Sequence, residues 1–295
     1  MVCRADCCNL LPVRPHAHTA GILGVRRMTD IAVENLQITF PLYHGNARSL
    51  RKSLSKTLGR TLNTRFMHDN RDRVVVQALK GVSFTLQPGD RLGLVGGNGA
   101  GKTTLLRALA GIYEPVGGSV TVRGSIGTLL DPELGMNMDL TGRENIRLRG
   151  MFSGLSKEQT AQVEVDVENF ASLGAFMDLP VNTYSSGMMV RLSFGLATAI
   201  MPDVLLMDEW FMAGDASFRN RARARLENLV SRADILVLSS HMADVMADWC
   251  NRLIWLDQGQ VRMDGPTEQV LEAYLGRPLE RKADAEKPEE TPPTL

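Results

Sequence analysis

Two short runs of the chain are apolar at every position, and a third nearly so. They are Val204-Leu205-Leu206-Met207, Ile235-Leu236-Val237-Leu238 and Arg91-Leu92-Gly93-Leu94-Val95. Runs this short, without alternation, predict strands covered on both faces. Residues 31–40 alternate in part, and 74–86 keep strand character up to the turn Gln87-Pro88-Gly89-Asp90. Further short strands are expected over 119–123, after Gly117-Gly118, and over 126–130, 252–256 and 260–263. Helical periodicity enters at 105–110 and dominates 131–184, where Ser156-Lys157-Glu158-Gln159 fits a capping box. An apolar helix over 187–200 ends at Pro202-Asp203, an Arg-rich helix covers 215–229, and Pro266 opens a last one. Together these elements describe an α/β chain.

Three stretches do not fit this rhythm. Residues 1–28 hold Pro12, Pro15 and clustered cysteines without a period. They read as a leader without a fold, with Met28 available as a start; a metal-binding tail of Cys3, Cys7, Cys8, His16 and His18 is the alternative. Residues 277–295 are rich in Pro, Glu and Lys and are expected to be disordered. Between the first two strands, residues 45–73 carry Arg48, Arg51, Lys52, Lys56, Arg60, Arg65, Arg71 and Arg73 against only Asp69 and Asp72. Leu50, Leu54, Leu58 and Leu62 make one stripe on this basic segment. It could lie on anionic lipid or attract a diphosphate, or simply dock on its own domain. The main domain is then 29–276, with a helical subdomain near 131–201.

Composition narrows the function classes. The 295 residues, 44% hydrophobic, support a sizeable core, and zero net charge supplies no global field toward nucleic acid. The four cysteines form no C-x-x-C pair, so zinc is not expected and a reducing compartment is. No apolar run reaches membrane-spanning length, since 192–207 is interrupted by Pro202 and Asp203, and 21–25 is too short for a signal segment. The expected location is cytoplasmic, and any membrane process would need a separate membrane partner.

Chemistry concentrates after the strand at 91–95. Gly96-Gly97-Asn98-Gly99-Ala100-Gly101-Lys102-Thr103-Thr104 fits G-x-x-x-x-G-K-[ST] between that strand and a helix. Its glycines allow positive φ and close approach of backbone N–H groups to a phosphate. Lys102 can reach the β- and γ-phosphates, and the Thr103 hydroxyl can ligate Mg²⁺. The strand 204–207 ends in Asp208-Glu209. Asp208 can hold Mg²⁺ through water, and Glu209 can polarise an attacking water as general base. Ser185-Ser186-Gly187-Met188 opens a helix and suits either a phosphate or plain capping. His241 follows the strand at 235–238, where it can meet a γ-phosphate.

The order of phosphate loop, small-residue turn, Asp-Glu strand end and His strand end resembles the ATP-binding subunit of ABC transporters. The match extends over about residues 31–275. It resembles most the subgroup that exports lipid-linked polysaccharides such as O-antigen and capsule. Tyr184-Ser185-Ser186-Gly187-Met188, Leu140-Thr141-Gly142-Arg143-Glu144-Asn145-Ile146 and Gly214-Asp215-Ala216-Ser217-Phe218 carry that likeness.

The resemblance implies a P-loop NTPase (RecA-like) core with an antiparallel β subdomain and a helical signature subdomain. It implies a homodimer closing head to tail on two ATP and Mg²⁺, so that Ser185, Ser186, Gly187 and Met188 serve the partner's γ-phosphate and Asp215 is the D-loop aspartate. It further implies a separate transmembrane permease, a lipid-linked glycan as cargo, no nucleic acid, and a peripheral place on the cytoplasmic face of the inner membrane. Two departures stand out. Ser186 and Met188 replace a glycine and the glutamine of the general signature, and Asp131 stands at the Q-loop position. No aromatic lies in Val74-Val75-Val76-Gln77 to stack on adenine, which leaves Tyr43 as candidate. A drug or small-lipid exporter ATPase and a non-transport ABC protein remain the rival readings.

Overall fold

The computed structural model describes residues 28–41, 66–68, 74–130, 135–208 and 216–278. Among these, ten strands and seven α-helices form two sheets and a helical lobe. Strands β1 (Asp30–Pro41), β2 (Phe66–His68), β3 (Val74–Leu86) and β5 (Gly117–Arg123) make an antiparallel sheet in the order β2-β3-β1-β5. The second sheet contains β4 (Arg91–Val95), β6 (Ile126–Leu129), β7 (Val204–Asp208), β8 (Ile235–Ser239), β9 (Arg252–Asp257) and β10 (Gln260–Pro266). Its order is β10-β9-β4-β8-β7-β6, parallel except for the β9–β10 hairpin.

The apolar runs of β7 and β8 are explained by burial on both faces. Val204, Leu206, Ile235 and Val237 join the core shared with the antiparallel sheet and helix α1 (Lys102–Leu109). Leu205, Met207, Leu236 and Leu238 face the opposite core. That core is closed by α5 (Ala216–Arg232), α6 (Ala243–Trp249) and α7 (Thr267–Leu275). Period two thus feeds two cores from one strand.

A third core holds together the helical lobe: α2 (Gly142–Phe152), α3 (Lys157–Ala171) and α4 (Ser186–Thr198). Both α2 and α3 begin with a complete capping box, Thr141 with Glu144 and Ser156 with Gln159. Arg143 ties the lobe by donating to Glu168, Glu164 and Asp178 at 2.7–3.1 Å, and these carboxylates raise its already high pKa. Such an Arg centre fixes geometry more than it stabilises, because the guanidinium and its partners remain partly in contact with water.

The elements differ from the sequence expectation in four places. The stretch 131–184 is broken into two helices and two short 3-10 turns at Gly174–Asp178 and Val181–Thr183. Pro266 caps its helix from outside rather than opening it. Helix α6, only seven residues long, carries too little periodicity to be read in advance. Within the basic insertion, Phe66–His68 pairs antiparallel with Val74–Val76 on the edge of β3 that β1 leaves open. The leucine stripe at 50–62 lies outside the described residues, as do residues 1–27 of the leader and 279–295 of the tail.

Candidate active site

The phosphate loop joins β4 to α1 and is stitched to its surroundings by backbone. The Gly259 N–H donates to the Ala100 carbonyl at 2.9 Å, and the Lys80 N–H donates to the Gly259 carbonyl at 2.8 Å. The turn between β9 and β10 therefore clamps the loop against β3. Two glycines are required by geometry. Gly96 has φ of 149°, and a Cβ there would lie 2.2 Å from the Leu256 carbonyl oxygen. Gly101 has φ of 112°, and its Cβ would lie 3.0 Å from the Ala78 carbonyl oxygen.

A cleft of about 490 Å³ opens over this loop, lined by residues 98–104, Asp208, His241, Phe40, Val76 and Ala78. Lys102 is buried, 8% exposed, and its Nζ donates to the Gly96 carbonyl at 2.8 Å. The ammonium is thus folded back on the loop, where an arriving phosphate would offer better acceptors. The Thr103 hydroxyl donates to Asp208 Oδ2 at 2.5 Å, across the gap between α1 and the end of β7. One hydroxyl and one carboxylate are hard oxygen donors, the pair suited to Mg²⁺ that takes its remaining ligands from phosphate and water. Among the described residues no group of three His, Cys, Asp or Glu could hold a metal by itself. Ser239, in register with Asp208 on β8, carries a buried hydroxyl without a hydrogen-bond partner.

The structure brings together the phosphate loop, Asp208 and His241, and it does not bring Ser185, Ser186, Gly187 or Met188 to them. Ser185 caps α4, its Oγ accepting from the Met188 N–H at 3.3 Å, and residues 185–187 are exposed. Glu209, Asp215, Asp131 and Tyr43 lie outside the described residues. Phe40 was missed by the sequence reading. It lines the cleft with its ring edge-on to Tyr113 at 5.1 Å, and Tyr113 accepts a 2.9 Å hydrogen bond from Arg107. Its signal was the pairing Phe40↔Val76, which carries an aromatic across to the strand that lacks one.

A parallel sheet with a phosphate loop after β4, a hydroxyl–carboxylate pair at its mouth and an exposed helix start on a separate lobe defines a nucleotide-binding cassette. The ABC transporter family model matches residues 79–212. The O-antigen export system ATP-binding protein RfbE of Yersinia enterocolitica is 39% identical over 234 residues, covering 79% of this chain and 97% of that one. The chain belongs to the ABC transporter ATP-binding family. An O-antigen export ATP-binding protein of Myxococcus xanthus, RfbB, is 36% identical, and a teichoic acids export ATP-binding protein of Bacillus cereus, TagH, is 37% identical. These matches cover 77% and 69% of this chain but only 51% and 37% of those longer proteins. The fold agrees with the ATP-binding subunit of an ABC transporter, at a TM-score of 0.60 and 20% identity over 86% of this chain and 96% of that one. It also agrees with a dimeric cassette solved with ADP and Pi, at a TM-score of 0.58 and 19% identity over 80% and 98% of the two chains.

Proposed function

We propose that this chain is the ATP-hydrolysing subunit of an ABC transporter that exports a lipid-linked polysaccharide. The observation that carries the ATPase part is the Thr103–Asp208 contact of 2.5 Å at the mouth of the phosphate loop. The relatives named for O-antigen and teichoic acid export support the cargo class.

In this reading the loop N–H groups and the N-terminus of α1 hold the phosphates, and Lys102 moves from the Gly96 carbonyl to the β- and γ-oxygens. Phe40, which lines the cleft, joins Tyr43 as a ring that can stack on adenine. Thr103 and Asp208 would hold Mg²⁺, which neutralises phosphate charge when bound. Glu209, next in the chain, orients and deprotonates the attacking water, while His241 donates to the γ-phosphate. The Ser185–Gly187 helix start is exposed and outside the cleft, as a group serving a second copy must be. Two copies closing head to tail then complete two sites, with Asp215 at their interface and Asp131 at the Q-loop position.

The membrane partner meets the helical lobe. Met151 and Phe152 are 74% and 75% exposed at the end of α2, and Arg149 beside them keeps its Nε buried and unpaired. Burial alone lowers the pKa of that guanidinium, which a partner carboxylate would relieve. No helix among the described residues is long and apolar enough to cross a membrane. The relatives named as ATP-binding proteins of export systems support a separate permease chain at the cytoplasmic membrane. Purifying the chain with its membrane partner and adding lipid-linked polysaccharide should raise ATP hydrolysis several-fold. Stimulation by small lipids or drugs instead would overturn the cargo assignment.

A further inference from the structure

The segment Leu140-Thr141-Gly142-Arg143-Glu144-Asn145 lines no part of the cleft, and its one buried polar side chain is Asn145. Asn145 is 2% exposed in the first turns of α2. Its Oδ1 accepts from the Asn137 N–H at 2.8 Å, and its Nδ2 donates to the carbonyls of Asn137, Thr141 and Leu140 at 2.9, 3.0 and 3.3 Å. Every polar bond the amide makes thus goes to residues 137–141.

That clamped segment is itself paired with the chain entering the signature turn. The Val181 N–H donates to the Leu140 carbonyl and the Asn182 N–H to the Met138 carbonyl, both at 2.9 Å. Thr141 forms an isolated bridge with Pro180. Gly142 finishes the connection. A Cβ there would lie 2.7 Å from the Tyr184 hydroxyl, which donates to the Phe176 carbonyl at 2.6 Å. Ser185 is the next residue and the cap of α4. One buried amide and one glycine thus hold the chain that leads into the exposed turn.

We propose that Asn145 and Gly142 are positioning residues for the Ser185–Gly187 turn, and that they act on the ATP held by the partner copy rather than on their own. The inference rests on the composite-site reading above. Loss of the clamp should leave nucleotide binding to the phosphate loop unchanged within about twofold. Turnover should fall about 10- to 100-fold, the scale of an ångström's misplacement of a reacting group.

The test uses full-length chains carrying two different tags, purified as mixed dimers. A Lys102→Ala chain with a Ser185→Arg chain is the reference pair, expected to regain about half the wild-type rate because one of two sites is intact. Asn145→Ala should behave like Ser185→Arg. Paired with Lys102→Ala it should recover activity, and paired with Ser185→Arg it should not. Gly142→Ala is the second variant should Asn145→Ala fail to fold. Recovery with Ser185→Arg but not with Lys102→Ala would overturn the inference, as would no recovery with either, or normal turnover in the unmixed variants. Failure of the reference pair itself would overturn the composite-site reading, and this inference with it.

Discussion

Replacing Gly96 by alanine tests the physical basis of the phosphate loop. The residue sits at φ of 149°, and the added Cβ would lie 2.2 Å from the Leu256 carbonyl oxygen and 3.0 Å from the Ala100 Cβ. A carbon meets a carbonyl oxygen comfortably only at about 3.3 Å, so loop and β9 must part by about 1 Å. Leu256 belongs to a strand held between β4 and β10 and cannot give cheaply. Adding about 1–2 kcal/mol for the unfavourable backbone region to the displaced contact gives about 3 kcal/mol. For a domain of this size that lowers the melting temperature by about 6–12 °C. The displaced loop also misaligns the backbone N–H groups that would hold the phosphates, so ATP affinity should fall with stability. Gly97→Ala is the control, because a Cβ there meets nothing within 4 Å. Thermal unfolding and fluorescent-nucleotide titration of both variants decide the matter. A Gly96→Ala chain that melts within about 1 °C of wild type and binds ATP normally would refute the argument.

Phe40→Ala should weaken ATP more than inorganic triphosphate, because only the base is lost; equal losses for both would remove Phe40 from the base site. Cys250 is buried, and burial pushes its thiol up to about 12 from 9.0. At pH 8 roughly one part in ten thousand is thiolate, so in a background lacking Cys3, Cys7 and Cys8 the folded chain should resist alkylation until it is unfolded. The same raised pKa contributes stability that is complete below pH 9 and lost as pH rises toward about 12. Reversing Arg48, Arg51, Lys52 and Lys56 to Glu should leave ATP hydrolysis intact and impair export, if the basic insertion engages anionic lipid or the diphosphate of the cargo. Unchanged export in a correctly assembled transporter would reduce the insertion to structure.

Most of the fold was legible because its signals are local. The apolar strands 204–207 and 235–238 announce a sheet covered on both sides, and the glycine-rich turn between a strand and a helix announces the phosphate site. Legibility failed where long-range pairing decides. Phe40 reaches the cleft only through its register against Val76, a relation that no window along the chain contains. Helix α6 is held by Met246 in the core rather than by a periodic face. The motif at residues 140–146 could be matched to a subgroup, but its work became visible only when Asn145 was seen to spend its amide on residues 137–141. Capping and phosphate binding by Ser185 could not be separated in sequence. The structure shows the cap, with the turn left open to solvent.

The ATPase assignment is tested most directly by Glu209→Gln in the full-length chain, measured for ATP turnover and for mass in solution with ATP and Mg²⁺. The account predicts ATP binding near wild type, turnover reduced at least about 100-fold, and a stable dimer holding two unhydrolysed ATP molecules. A variant that hydrolyses ATP at the wild-type rate, or that binds ATP as a monomer throughout, would contradict it.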